Sequence, residues 1–368
     1  MRDAEGDANA ETLACRAEAW RVRPALDAAG DSGRGAGCPG AAGGGVGAMS
    51  APVRIAVLDD YQGIALEMAD WTSLPPAAEV AVFCDHLTDE DALAARLAPF
   101  QVICAMRERT PLRRSLLQRL PALRLIVTTG ARNAAIDVAA ANELGITVCG
   151  TNACTHATPE LTWALILALT RNLIAENSFL RAGGWQLGVG GDLRGRVLGV
   201  LGLGRLGSAV ATVGQAFGME LIAWSQNLTE ERANTHGVRR VDRDTLFREA
   251  DVLTIHLVLS ERTRGLVGAH ELGLMRQGAY LVNTSRGPIV DEAALIEALR
   301  AKRIAGAGVD VYDVEPLPVE HPFRSLPNVL ATPHIGYVSR ASYEVFYRDT
   351  VEDIRAWMAG APMRVITG

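Results

Sequence analysis

The stretch Val197–Val210, VLGVLGLGRLGSAV, decides the fold of this chain. Its apolar beginning, Val197–Leu201, has the composition of a buried β-strand, and the glycine-rich segment Gly202–Gly207 follows directly. A helical pattern of apolar residues then continues to Phe217. The order of strand, glycine turn and helix is typical of a dinucleotide-binding unit.

Each glycine of this segment has a separate physical purpose. Gly202 permits the tight turn, Gly204 lets a pyrophosphate approach the backbone, and Gly207 lets the helix pack closely on the strand. The helix N-terminus offers free N–H groups and partial positive charge to the phosphates. The alternative for such a motif is a glycine-rich loop that serves only packing, which the flanking strand and helix disfavour.

Length, charge and cysteine usage exclude several classes of protein. A chain of 368 residues is too long for one ordinary core and suggests two domains. The net charge of −6 and the lack of a basic run argue against nucleic-acid binding, and no apolar stretch is long enough for a membrane span. None of the six cysteines forms a CxxC pair, so we expect no metal site and no disulfide framework. Reduced thiols fit a cytoplasmic protein.

Residues 1–48 differ in composition from the rest, being rich in glycine and alanine. We expect this segment to be either a disordered tail or a mis-assigned start, because it has too little apolar surface to offset its ordering entropy. Met49 then opens a regular pattern.

From Val53 onward, short β-type runs alternate with helical stretches. Such alternation predicts parallel sheets covered by helices on both faces. The predicted strands are Val53–Leu58, Val80–Cys84, Val102–Met106, Leu123–Thr128 and Thr147–Cys149, then Val197–Leu201, Leu221–Ser225, Val252–His256, Tyr280–Asn283, Gly308–Val311 and Val329–Ala331.

The domain organisation follows from where the chain leaves and returns. One long helix is predicted over Pro159–Arg181, carrying the chain out of the first domain, and the last helix, Ser339–Met358, returns after the second. We therefore expect an α/β protein in which a Rossmann-type, doubly wound dinucleotide-binding domain, residues 153–332, is inserted into a substrate domain of residues 49–152 and 333–368.

Three polar residues follow predicted strand ends in the second domain: Arg286, Glu315 and His334. Ligands of open α/β sheets bind at such ends. A histidine can give a proton to the alkoxide that forms when a ketone accepts a hydride, and a carboxylate beside it favours the protonated ring. A guanidinium grips a planar carboxylate through two parallel hydrogen bonds. Together these residues point to reduction of a 2-oxo acid.

The chain resembles the D-isomer-specific 2-hydroxyacid dehydrogenase family over roughly residues 53–360. The resemblance rests on LGLGRLGSAVA, LVNTSRGPIVDEAALIEAL, AGVDVYDVEP and TPHIG, in that order. It implies a flavodoxin-like substrate domain, a homodimer and a D-2-hydroxyacid dehydrogenase activity.

The resemblance also implies roles for individual residues. Arg286 would bind the substrate carboxylate, His334 would be the acid/base and Glu315 its partner. Arg107 and Gly130 lie in loops that match substrate loops. The implied cofactor contacts are Gly202, Gly204, Arg205, Leu206, Gly207, Ser225, Thr284, Asp310 and Gly336.

Cofactor choice is left open by one departure from the family. Members that use NAD usually carry an acidic residue at the end of the second strand, where this chain has Ser225. No arginine follows that would bind a 2′-phosphate, so NAD is favoured and NADP is not excluded.

The first-domain loops depart as well. Arg132 replaces a usual glycine, and Glu108 and Arg109 follow Arg107. Together with Arg286, these arginines would form a cationic pocket for a substrate with a second acidic group, or Arg109 and Arg132 would pair with Glu108 or face water. Three tyrosines either wall the substrate site or pack in the core: Tyr337, Tyr343 and Tyr347.

Two functions within the class fit the residues, and one lies outside it. Hydroxypyruvate or glyoxylate reduction is the first hypothesis, and phosphoglycerate oxidation is the second. The competing class is an NAD(H)-sensing binding protein of the corepressor type, which keeps the same fold and residues. A formate-type enzyme is disfavoured, since that branch pairs its histidine with glutamine.

Overall fold

A computed structural model describes residues 52–367 of the chain. The expectation for residues 1–48 therefore lies outside the described residues. The described chain divides into two compact units. We call residues 52–153 with 343–367 the split unit, and residues 154–342 the continuous unit.

The split unit contains a five-stranded parallel sheet in the order β2-β1-β3-β4-β5. This is the flavodoxin-like order, as expected. Its strands are β1 Val53–Val57, β2 Ala78–Val82, β3 Val102–Ala105, β4 Leu125–Thr128 and β5 Thr147–Gly150. Its helices are α1 Glu90–Leu97, α2 Arg114–Leu117 and α3 Val138–Glu143, and most of the later α11 belongs to it.

The continuous unit contains a seven-stranded parallel sheet. Its strands are β6 Val197–Leu201, β7 Glu220–Trp224, β8 Arg239–Arg240, β9 Val252–Ile255, β10 Tyr280–Asn283, β11 Gly306–Val309 and β12 Val329–Ala331. Its helices are α4 Ala157–Thr170, α5 Leu173–Arg181, α6 Arg205–Ala216, α7 Glu230–Asn234, α8 Arg243–Glu249, α9 Ala269–Leu274, α10 Glu292–Arg300 and the start of α11 Arg340–Met358.

The strand order β12-β11-β10-β9-β6-β7-β8 reverses direction at β6. The chain moves from β6 outward to β7 and β8, and then returns to add β9 on the other side. A crevice forms at the carboxyl end of the strands at such a switch point. The glycine segment Gly202–Gly207 follows β6 at this point.

Alternate residues of the continuous sheet pack on opposite faces. Leu198 and Val200 of β6 join the core beneath α4 and α6, whereas Leu201 joins the core on the face of α8 and α10. Because both faces are buried, the sheet positions the loops at its carboxyl edge rigidly.

The structure departs from the sequence analysis at three points. The single helix predicted over Pro159–Arg181 is two helices, α4 and α5, because Asn172 adopts the left-handed conformation with φ 50° and breaks the helix. The two-residue strand β8, Arg239–Arg240, which pairs with β7, was not predicted as a strand. The chain returns to the split unit between Ser342 and Tyr343, within α11, rather than near residue 333.

Among the described helices none is long and apolar enough to cross a membrane.

Candidate active site

The glycine loop has the geometry of a phosphate cradle. Gly202 has φ 107°, and a Cβ there would lie 2.9 Å from the carbonyl of His256. A Cβ at Gly207 would lie 2.1 Å from the carbonyl oxygen of Gly202. Among residues 52–367, nothing lies within 4 Å of a Cβ built at Gly204, and no side chain caps α6, whose N-cap is Gly204. The backbone N–H groups of the first turn are therefore available to a pyrophosphate, and the residues present fit a dinucleotide.

The other predicted cofactor contacts are distributed around this loop. Arg205 and Leu206 form the first turn of α6, with Arg205 exposed. Ser225 is half-buried directly after β7. Thr284 follows β10 and is buried, with its hydroxyl 2.8 Å from that of Thr162.

Asp310 supports the loop that carries the histidine. Its Oδ1 accepts hydrogen bonds from the hydroxyl of Thr332 at 2.6 Å and from the amide of Ile335 at 2.8 Å. Its Oδ2 accepts from the amide of Gly336 at 2.8 Å. Burial raises the pKa of Asp310, and these hydrogen bonds oppose the shift. The fully buried carboxylate fixes the backbone on both sides of His334, which has φ 52°.

His334 and Glu315 are in direct contact. Nδ1 of His334 lies 2.5 Å from Oε2 of Glu315, whose Oε1 accepts a hydrogen bond from the amide of Tyr312 at 3.0 Å. The ring of Tyr337 packs edge-on against the imidazole, with centroids 5.4 Å apart. Within residues 52–367, Nε2 of His334 makes no hydrogen bond, so this nitrogen remains available for proton transfer.

The loop that carries Arg286 contacts the loop that carries Glu315 at Gly287. A Cβ at Gly287 would lie 2.1 Å from the carbonyl carbon of Tyr312, so only glycine allows this approach. Arg286 is half-buried and one of its Nη atoms donates to the carbonyl of Ser285 at 2.8 Å. The structure thus brings Glu315 and His334 together and places the Arg286 loop beside them.

His256 is a supporting residue that the sequence analysis missed. Its amide donates to the carbonyl of Leu201 at 2.8 Å, and its backbone packs against Gly202. The following carbonyl, that of Leu257, accepts a 2.5 Å hydrogen bond from the hydroxyl of Ser285. His256 therefore connects the glycine loop to the Arg286 loop. Burial lowers its pKa to about 4, and its Nε2 lies 2.9 Å from the hydroxyl of Thr254.

In the split unit, the loops after β3 and β4 interlock. Arg107, with φ 52°, donates through its amide to the hydroxyl of Thr129 and through Nη1 to the carbonyl of Thr129. Gly130 has φ 90°, and a Cβ there would lie 2.1 Å from Nη1 of Arg107. Nε of Arg107 lies 3.7 Å from Oε2 of Glu108. The two predicted substrate residues, Arg107 and Gly130, are thus in contact with each other.

The remaining arginines of these loops, Arg109 and Arg132, have different surroundings. Arg109 donates to the carbonyl of Asp59 at 2.6 Å and lies over the ring of Tyr61, 4.3 Å from its centroid. Arg132 is exposed. The alternative in which Arg109 is used within the protein fits its contacts with Asp59 and Tyr61.

The three tyrosines singled out in the sequence also differ in their surroundings. Tyr343 and Tyr347 are buried in the split unit with their rings at 85°, and Tyr347 also packs on Trp71. They are core residues. Tyr337, in the continuous unit, lies beside the imidazole of His334.

Comparisons with known proteins agree with this geometry. The sequence model described as D-isomer specific 2-hydroxyacid dehydrogenase, NAD binding domain, matches residues 163–336. A glyoxylate reductase of Aeropyrum pernix is 43% identical over 235 residues, covering 61% of this chain and 70% of that protein. A D-3-phosphoglycerate dehydrogenase of Archaeoglobus fulgidus is 36% identical over 274 residues, covering 73% of this chain and 52% of that protein. Among solved structures, a phosphoglycerate oxidoreductase of Vibrio cholerae o395 has a TM-score of 0.80 and 39% identity, covering 84% of this chain and all of that one.

Proposed function

The chain belongs to the D-isomer specific 2-hydroxyacid dehydrogenase family and is an NAD-dependent 2-oxo acid/2-hydroxy acid oxidoreductase, and from that premise we propose that it reduces glyoxylate or hydroxypyruvate with His334 as the proton donor. The observation that carries the proposal is the His334–Glu315 contact, which leaves Nε2 of the imidazole uncommitted. NADH supplies a hydride when it is bound.

The chemistry assigned to His334 follows from its neighbours. Hydride addition to the ketone carbon of a 2-oxo acid leaves an alkoxide, and Nε2 of the imidazolium gives that oxygen its proton. Glu315 accepts the hydrogen bond of Nδ1–H, which holds the orientation of the ring for the transfer. One proton and one hydride are consumed for each 2-hydroxy acid formed.

Substrate binding is assigned to arginines. Arg286 would hold the substrate carboxylate through two N–H groups, because a guanidinium matches a carboxylate in geometry and charge. Arg107 and Gly130 would contribute from the split unit, which we propose as the substrate domain. The continuous unit would be the dinucleotide domain, with the first turn of α6, Ser225, Thr284 and Gly336 contacting the cofactor and Asp310 holding the Gly336 loop.

The preferred substrate follows from the relatives. The glyoxylate reductase of Aeropyrum pernix has the higher identity, and this chain covers 70% of it. The phosphoglycerate dehydrogenase of Archaeoglobus fulgidus is covered over only 52% of its length. The glyoxylate reductase also exceeds the Vibrio cholerae phosphoglycerate oxidoreductase in identity, 43% against 39%, so glyoxylate or hydroxypyruvate reduction is proposed ahead of phosphoglycerate oxidation. An NAD(H)-sensing protein without turnover is not favoured, since these relatives are oxidoreductases.

The test is a spectrophotometric screen of 2-oxo acids at fixed NADH, following the loss of absorbance of the reduced nicotinamide. Glyoxylate, hydroxypyruvate, pyruvate and 3-phosphohydroxypyruvate separate the alternatives. We expect turnover with the first two to exceed turnover with the phosphorylated acid. No turnover with any 2-oxo acid, together with tight NADH binding, would instead support a sensing role.

We also propose a homodimer formed through α5. This helix has no buried residue and exposes apolar side chains, among them Ile174 and Leu180, both more than half exposed. An apolar surface of this kind on a folded protein is typical of an interface. Light scattering after size exclusion should give twice the chain mass, and Leu180→Asp should shift the mass toward the monomer. Within residues 52–367 no cysteine forms a disulfide, and we propose a reducing, cytoplasmic setting for this dimer.

A further inference from the structure

The turn that follows β7 is closed by an arginine from the neighbouring strand. Leu228 donates through its amide to the carbonyl of Ser225 at 3.0 Å, which forms a tight turn of residues 225–228. Arg240 of β8 lies opposite Ala223 of β7 in the parallel ladder. Its Nε donates to the carbonyl of Leu228 at 2.8 Å. The guanidinium of Arg240 is therefore held against the turn.

Arg240 and the turn that begins at Ser225 lie at the same edge of the sheet. Paired residues of neighbouring strands lie side by side. Ala223 is the ladder partner of Arg240, and Ser225 follows Ala223 by two positions. The amide of Gly202 donates to the carbonyl of Trp224 at 2.9 Å, so this turn also adjoins the glycine loop.

The remaining donors of Arg240 are uncommitted. Among residues 52–367, its Nη atoms make no hydrogen bond or ion pair, and the residue is exposed. The adjacent Arg239 is instead ion-paired with Glu249. The nearest acid along the chain, Asp242, accepts from the amide and hydroxyl of Thr245. Arg240 therefore presents an open guanidinium fork beside a turn with no acidic residue of its own.

We propose that Arg240, together with the Ser225–Leu228 turn, binds the 2′-phosphate of NADP(H), so that this chain uses NADP(H) as well as NAD(H). The end of the second strand of a dinucleotide domain meets the adenosine ribose, where an acidic residue would repel a 2′-phosphate. Here the turn offers the neutral Ser225, Gln226 and Asn227. A guanidinium binds a phosphate monoester through two parallel charge-assisted hydrogen bonds. The inference rests on the dinucleotide site at the glycine loop.

The test measures binding of adenosine 2′,5′-bisphosphate and of 5′-AMP by calorimetry, because these nucleotides differ only in the 2′-phosphate and need no substrate. We expect the wild-type protein to bind the bisphosphate about 10-fold or more tightly than 5′-AMP. Arg240→Gln should abolish this preference and leave 5′-AMP affinity within about twofold. The matched control is Arg239→Gln, which removes the adjacent charge and should keep the preference.

Ser225→Asp keeps the proposal falsifiable if Arg240→Gln unfolds the turn. This variant adds a carboxylate at the ribose position and should weaken the bisphosphate selectively. Equal loss of both nucleotides in Arg240→Gln, at an unchanged melting temperature, would overturn the proposal, as would a wild-type protein without preference. If 5′-AMP and NADH also fail to bind, the dinucleotide site itself is wrong, and that result is distinguishable from the loss of the 2′-phosphate preference alone.

Discussion

The loops at the strand ends of the two units carry similar charged side chains but use them differently. In the continuous unit, the backbone around His334 is fixed by a buried carboxylate, Asp310, and the imidazole keeps Nε2 uncommitted. In the split unit, Arg109 is used to fix the backbone of Asp59. Charge at a strand end is therefore weak evidence for a ligand site unless the charged atoms remain available.

The comparison predicts its largest effect at His334. His334→Ala should lower kcat about 10²- to 10⁴-fold, because the variant has no group to protonate the alkoxide. Cofactor affinity, measured by titration of NADH, should stay within a few-fold. His270→Ala is the matched control, since this histidine of the continuous unit has an exposed side chain. Near wild-type turnover of His334→Ala would show that Nε2 of His334 is not the proton donor, and the strand-end loops of the two units would then not differ in this respect.

The next largest effect on kcat is expected at Asp310, which fixes the loop that carries His334. In Asp310→Asn, one acceptor oxygen becomes an N–H donor, so the amides of Ile335 and Gly336 and the hydroxyl of Thr332 cannot all be satisfied. We expect kcat to fall roughly 10- to 100-fold through misplacement of His334. The KM for the 2-oxo acid should change less than kcat.

The control for this positioning role is Asp313→Asn, an exposed carboxylate three residues further along the chain. It should have little effect on kcat. If Asp310→Asn lowered the melting temperature and left kcat of the folded fraction intact, Asp310 would be a stabilising residue only.

The sequence predicted the structure best where the residues that determine an element are adjacent along the chain. The strand Val197–Leu201 and the turn Gly202–Gly207 lie as predicted, because strand, turn and helix are contiguous in sequence. The helix break at Asn172 was missed, since the apolar pattern continues through it. The short strand Arg239–Arg240 was missed because two arginines carry no strand pattern.

Long-range partners explain what could not be predicted at the site. One partner of Arg109 is Asp59, fifty residues earlier, and no local spacing reveals that contact. The role of Asp310 likewise depends on amides more than twenty residues later. Residue types at strand ends identify candidates for a site, whereas the commitment of their atoms is set by tertiary structure.

A substitution of Arg109 tests whether the charged side chains of the split unit stabilise the fold. Arg109→Ala should lower the free energy of unfolding by about 1–3 kcal/mol, because it removes the hydrogen bond to the carbonyl of Asp59 and the contact with the ring of Tyr61. Arg132→Ala, at an exposed position of the neighbouring loop, should cost less than about 0.5 kcal/mol. Urea unfolding measures both. Unchanged stability together with a tenfold rise in KM for Arg109→Ala would place this arginine among the substrate residues instead.

The smallest expected effect is a pH dependence of stability that comes from the carboxylate of Asp59, the residue whose carbonyl accepts the hydrogen bond of Arg109. Nδ1 of His86 lies 2.8 Å from Oδ1 of the buried Asp59, and this hydrogen bond raises the pKa of His86 above its usual 6.5. The folded chain holds that proton more tightly than the unfolded chain does. The stabilisation is therefore complete below about pH 6.5 and is lost as the pH rises through the raised pKa. Its size should be below about 1 kcal/mol, given solvent screening near the surface. Urea unfolding between pH 6 and pH 9 should show a larger decline in the wild-type protein and in His270→Gln than in His86→Gln. Burial raises the pKa of Asp353 to about 7, and this group contributes the same decline to all three proteins. An equal decline in His86→Gln would mean that the charge of this histidine does not hold the loop, and that Arg109 and Thr110, which donates to Oδ2 of Asp59 at 2.6 Å, are sufficient.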